Sequence, residues 1–184
     1  DRYSDFGHAN NYFLGYAYSL TPALKSYLNF SNAFRAPTFN DLYFPGYSNA
    51  QLQPESARSI EGGVRYQQAD NTVQLALFQT AYHDLINYVL VDPVNHRSMP
   101  FNTQRAQVEG LELSLSTHRQ GGLLMQANLT LQNPINQSSG AILPSRARQF
   151  GYVSVDKKWE NVYMGAELHA SGARFDQTMQ TWLA

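Results

Sequence analysis

Apolar side chains recur at every second position along most of this chain, and a 3.6-residue period is nearly absent. Tyr12, Leu14, Tyr16, Tyr18 and Leu20 alternate with smaller residues, and Leu24, Leu28 and Phe30 with Lys25, Tyr27, Asn29 and Ser31. The same rhythm runs through Ile60–Tyr66, Val73–Leu77, Leu111–Leu115, Leu123–Leu131, Gly151–Val155 and Val162–Leu168. The pattern predicts an all-β antiparallel meander of about eight to nine long strands. Short connections are expected at Thr21–Ala23, Ala69–Asn71, His118–Gly122 and Glu160–Asn161. Long ones are expected at about Phe34–Glu55, His83–Pro100, Asn133–Pro144 and from Ala173 onward. Short turns at one rim and long loops at the other is the layout of a membrane β-barrel.

Alternation alone does not choose the solvent, because a soluble sandwich also has one apolar and one polar face. Three features favour the barrel. The strands are expected to run about ten residues or more, the length that a tilted bilayer-spanning strand needs. Their polar face carries Gln, Asn, Ser and Glu, with little Lys. Aromatics sit near strand ends, at Tyr12, Tyr66, Tyr82 and Trp159, where an interfacial girdle is expected.

Composition narrows the function classes. Over 184 residues the net charge is -1, and no basic run suggests nucleic acid. Cysteine is absent, which removes disulfides, thiolate metal sites and Cys nucleophiles. Aromatics are abundant, with 12 Tyr and 10 Phe, while charged residues make up only 15%. No apolar run approaches the roughly 20 residues of a membrane-spanning helix. The start, Asp1–Asp5, has no signal-peptide character, and the chain reads as a piece of a longer one.

Catalytic motifs are missing. There is no Gly-x-Ser-x-Gly, no Gly-rich phosphate loop and no His-Glu-x-x-His, so an enzyme is not expected. The histidines His8, His83, His96, His118 and His169 lack ligand spacing, and Asp41, Glu55, Asp84 and Asp92 are too few for a calcium loop. No metal and no cofactor are expected.

The segment Phe34–Tyr43, "FRAPTFNDLY", followed by "LQPE" at Leu52–Glu55 and "EGG" at Glu61–Gly63, resembles the barrel of TonB-dependent outer-membrane receptors. So do "AYHDLINYV" at Ala81–Val89, "FNTQRAQVEGLELSLS" at Phe101–Ser116 and "LPSRARQFGYVSV" at Leu143–Val155, in the family's order. The resemblance implies a barrel of about 22 strands, of which residues 1–184 form a part. A plug domain, a TonB-contacting box, the early strands and the closing strand are then expected to lie outside it. The implied setting is the Gram-negative outer membrane, with the lipid bilayer, a bulky nutrient and TonB as partners.

"SNAFRAPTFNDLYFPGYSN" and "TLQNPIN" are most similar to the cobalamin receptors. Siderophore and haem receptors remain alternatives, and a passive porin is the rival of another class. Haem receptors place a ligating His between the two loop boxes, whereas Pro37 to Asn49 contains none. Candidate ligand-binding residues on the outer loops are Asp41, Tyr43, Phe44, Tyr47, Asn49, Tyr88 and Arg97. Glu61, Arg65, Glu112, Arg146 and Arg148 are candidates for a lumen wall that contacts the plug.

Overall fold

Period-two segments joined by tight turns can pair only with their sequence neighbours, and the chain does so throughout. The structure is a computed structural model that describes residues 2–3, 6–176 and 181–183. Strands β3 (Phe13–Ser19), β4 (Leu24–Arg35), β5 (Glu55–Gln68), β6 (Asn71–Asp92), β7 (Arg97–Arg119), β8 (Leu123–Asn136), β9 (Gln149–Trp159) and β10 (Val162–Ser171) form one sheet in chain order. All neighbours are antiparallel. Two small ribbons flank it, β1 (Arg2–Tyr3) with β2 (Gly7–His8) and β11 (Arg174–Asp176) with β12 (Thr181–Leu183). A one-turn helix, α1 (Phe39–Tyr43), lies between β4 and β5.

Register assigns the faces. Tyr16, Leu28, Gly62, Leu77, Leu111 and Leu131 pair in one continuous row across six strands. Leu24, Tyr66, Val73, Leu115, Ala127, Val153 and Leu168 form a second row on the same face. The opposite face carries Lys25, Arg65, Gln74, Ser114, Asn128, Tyr152 and His169 in one row. A sandwich would bury the apolar rows under a second sheet. Here Leu77 is 63% exposed and Leu168 70%, and no second sheet covers them among the described residues. That face is built to meet lipid.

The apolar band has a clear upper limit. On the outward face of β6, Val73, Leu75 and Leu77 are followed by Gln79, which pairs with Glu109, itself opposite Asn133. From Asn71 to Gln79 the strand covers about 27 Å. Tilted as barrel strands are, this spans most of the roughly 25 Å apolar band of such barrels. Strands β6 and β7 continue well beyond it, and this corrects the expected long loop at His83–Pro100. The segment is an extended hairpin whose turn is confined to residues 93–96. Asp84, with φ +56°, interrupts the alternation so that Leu85 and Ile86 are both buried. That break hides the strand from a period-two reading.

Buried apolar residues gather where loops fold back at this end. Leu85, Ala106, Val108 and Leu143 form one cluster with Phe78 and Tyr82 packed against it. Leu42, Leu52 and Ile86 form another with Phe6. Tyr82, expected in the girdle, therefore faces inward and holds the 137–148 loop, while Tyr66 and Trp159 lie on the outward face near the short turns.

Candidate functional site at the barrel mouth

The loop after β4 is long, and its aromatic side chains are exposed while, of its larger apolar residues, only Leu42 and Leu52 are buried, so polar contacts must help hold it. Thr38 starts α1 as its N-cap: its hydroxyl accepts from the Asp41 N–H (3.1 Å), and the Asp41 carboxylate accepts from the Thr38 N–H (2.9 Å). Asp41 is also the centre of a wider network. The Tyr88 hydroxyl of β6 donates to its other oxygen at 2.7 Å, and the Arg35 guanidinium lies 3.5 Å away. Arg35 in turn donates to Glu55 at 2.9 Å, and Glu55 accepts from the Ile86 N–H at 2.9 Å. The end of β4, the start of β5, α1 and the extension of β6 are thus tied together by one chain of charges and hydrogen bonds.

Asp41 is 3% exposed. Burial pushes its carboxyl up, but the Tyr88 and Thr38 hydrogen bonds and the Arg35 charge outweigh this and hold it below the usual carboxylate range. For Tyr88, donation to Asp41, helped by burial, pushes the phenol above its ordinary value.

The second half of the loop is pinned by amides. The Asn49 N–H donates to the Asp41 carbonyl (2.8 Å), and its side chain donates to the Pro100 carbonyl (3.2 Å) and accepts from the Gln51 N–H (2.9 Å). Asn102 of β7 donates to the carbonyls of Gln53 (2.9 Å) and Asp84 (2.6 Å) and accepts from the Gln53 N–H (2.9 Å).

What this scaffold presents is aromatic. Phe39, Tyr43, Phe44 and Tyr47 are exposed, with the Phe39 and Tyr43 rings 5.2 Å apart and the Phe44 and Tyr47 rings 6.0 Å apart. Solvent-facing rings on a braced loop are a preformed apolar contact surface. Of the expected ligand residues, Tyr43, Phe44 and Tyr47 form this shelf, and Tyr88 stands beside it through Asp41. Asp41 and Asn49 spend their polar atoms on holding the loop, to itself and to β6 and β7. Arg97 lies at the tip of the β6–β7 hairpin, donating to the Met99 sulfur at 3.3 Å. Arg35, Thr38 and Asn102 were not singled out by the sequence; Thr38-x-x-Asp41 is a capping pattern that marks Thr38, whereas Arg35 and Asn102 act through partners distant in the chain.

The expected lumen residues are placed as follows. Glu61 accepts weakly from Asn29 (3.5 Å) on the polar face. Arg65 lies directly between Lys25 and Gln74, and Glu112 between Ala76 and Thr130. Arg146 stacks 5.8 Å from the inward Tyr82 ring. Arg148 is exposed, its carbonyl accepting from the Gln132 N–H at 2.7 Å. Among the described residues no three His, Asp or Glu side chains gather as a metal site.

Comparison with known proteins places the chain in a family. The family model described as TonB dependent receptor-like, beta-barrel, matches residues 1–182. The chain is 28% identical over 152 residues to the vitamin B12 transporter BtuB of Vibrio vulnificus, covering 82% of this chain and 24% of that protein. It is 30% identical over 129 residues to the probable hemoglobin and hemoglobin-haptoglobin-binding protein 1 of Haemophilus influenzae, covering 61% and 12%. Among solved structures, a mutant of the ferric enterobactin receptor PfeA of Pseudomonas aeruginosa superposes with a TM-score of 0.74 at 20% identity, covering 95% of this chain and 29% of that one. The copper transporter OprC gives 0.71 at 17% identity, covering 88% and 26%. These two likenesses concern the fold alone. The chain spans about a quarter of the length of the B12 transporter that it matches.

Proposed function

Because the chain belongs to the TonB-dependent receptor β-barrel family of the Gram-negative outer membrane, we propose that its parent protein imports a bulky nutrient, cobalamin in the first instance, captured on the loops at this mouth. The observation that carries the reading is the braced shelf of Phe39, Tyr43, Phe44 and Tyr47. A large ligand with apolar faces gains contact area there without first ordering the loop. The relative with the broader coverage, a vitamin B12 transporter, supports cobalamin over other cargo. On this reading a plug and a TonB box belong to other parts of the parent chain. TonB, drawing on the inner-membrane proton gradient, then moves the plug away from the wall formed by Glu61, Arg65 and Glu112, with Arg146 and Arg148 nearer the mouth.

The test is equilibrium binding of cobalamin to the full-length parent in detergent, with haem and ferric siderophores as competitors. Nanomolar binding that haem does not displace is the expected result. Alanine at Tyr43, Phe44 or Tyr47 then weakens it by roughly tenfold or more each, the scale of a buried aromatic contact. Binding of a ferric chelate with no affinity for cobalamin overturns the ligand and leaves the family in place.

A further inference from the structure

On the lipid-facing side, away from the mouth, the outward rows of β7 to β10 do not form an even surface. Leu113 and Leu115, Ala127 and Leu129, and Val153 and Leu168 surround an open groove of about 510 Å³. Its floor is low because Gly151 pairs with Leu129 on one side and Ala170 on the other, so two small residues adjoin. Gly151 is required by the backbone: a Cβ there would clash with the Asn128 carbonyl oxygen. The low floor of the groove is thus set by the backbone at Gly151.

Cations end this groove at the short-turn rim. Arg119, Leu123, Lys157 and Met164 form one cross-strand row on the same outward face, four residues toward the turns from the Leu115–Ala127–Val153 row. That is about 13 Å along the strand. Arg119 and Lys157 are two strands apart, about 10 Å, which lets two long side chains converge on one anion. Lys157 is held in place by its bond to the Gly121 carbonyl (2.7 Å) and by the Trp159 ring, 5.6 Å from its ammonium. The outward positions of β7 to β10 between this row and the groove carry Thr117, Met125, Val155 and Ala166, none acidic. Asp156, the nearest acid along the chain, pairs with Leu124 and Gly165 on the opposite, inward face, and Glu160 lies in the β9–β10 turn.

The geometry points to a site for one anionic phospholipid of the periplasmic leaflet. The groove takes an acyl chain, Arg119 and Lys157 take the phosphate, and Trp159 packs at the interface. Scattered rim cations would only snorkel to water. Here they stand below an open apolar groove, at the distance that separates a headgroup from the upper part of its chain. The proposal is independent of which nutrient the mouth binds.

Native mass spectrometry of the detergent-extracted full-length parent tests it, with dioleoylphosphatidylglycerol and dioleoylphosphatidylcholine as probes. One phosphatidylglycerol is expected to stay bound under activation that strips the choline lipid. R119Q/K157Q should reduce that preference about tenfold or more. A170W, which fills the groove from a lipid-exposed position, should lower retention of both lipids while leaving the barrel folded, as judged by heat-modifiable gel mobility. Equal retention of the two lipids by the wild type overturns the site, and so does an unchanged preference in R119Q/K157Q. If the double variant fails to assemble, K157Q and A170W decide: wild-type retention in both refutes the proposal.

Discussion

Replacing Asp41 by alanine leaves three groups at the mouth without a partner: the Thr38 N–H, the Tyr88 hydroxyl and one side of the Arg35 guanidinium. The Tyr88 bond is charge-assisted, at 2.7 Å to a carboxylate that is 3% exposed, and such bonds are worth about 1.5–3 kcal/mol. Loss of the capping box adds about 1 kcal/mol. Arg35 contributes little, since its side chain is half exposed and 3.5 Å away. Neighbouring terms overlap, so the loop should lose about 3 kcal/mol against local opening, close to a hundredfold in the opening equilibrium. The sheet amides should not respond, because the change is local. Hydrogen exchange by mass spectrometry reads this directly, on peptides that contain the Leu42, Phe44 and Asn49 amides, all bonded within the loop. Tyr88→Phe removes one bond only and should give about a tenfold effect. Loop protection in Asp41→Ala within threefold of wild type would refute the view that this network holds the shelf.

Acidity should release the same loop. Asp41 titrates below the usual carboxylate range in the folded protein, so its contribution is present above that range and is lost as pH falls through the depressed value. Pepsin nicking confined to the 38–52 loop, absent above the usual carboxylate range and rising as pH falls through the depressed value, is the expected readout. Tyr88 sets the opposite limit: its raised value keeps the bond intact below about pH 10 and loses it above the folded value, which chymotrypsin nicking at alkaline pH can follow. Leu75→Arg should cost about 2–4 kcal/mol in folding titrations into vesicles, since Leu75 lies midway along the lipid band, whereas Gln79→Arg at its edge should cost under about 1. Gly63→Val should impair barrel assembly, because a Cβ there would stand 2.5 Å from the Leu75 carbonyl oxygen and 2.8 Å from the Tyr27 ring; unchanged heat-modifiable mobility and yield would count against this.

Strand number, order and facing were legible in the residues because their cause is local. Side chains alternate every residue in any strand, and tight turns at 69–70 and 160–161 leave each strand only its neighbour to pair with. Where local signals weaken, the reading failed for identifiable reasons. The positive φ of Asp84 broke the alternation that would have shown β6 running on to Asp92. Pro100 and Pro134, which fall in segments expected to be long loops, lie buried inside strands β7 and β8, beyond the bilayer band, where Asn49 and Leu143 of neighbouring loops bond to their carbonyls.

Whether the apolar face meets lipid or a second sheet is not a local property. Sequence alternation is the same in both cases, and the answer came from rows of open leucines with nothing packed upon them. The aromatic wealth of the 39–47 loop could be counted from the sequence. Its division into an exposed shelf and a buried brace was set by tertiary structure, because the brace joins Arg35, Asp41, Glu55 and Tyr88 across as many as 47 positions of chain. A carboxylate on a loop reads as a ligand residue until the fold brings a phenol and a guanidinium to it; burial among those partners then commits its oxygens to holding the loop.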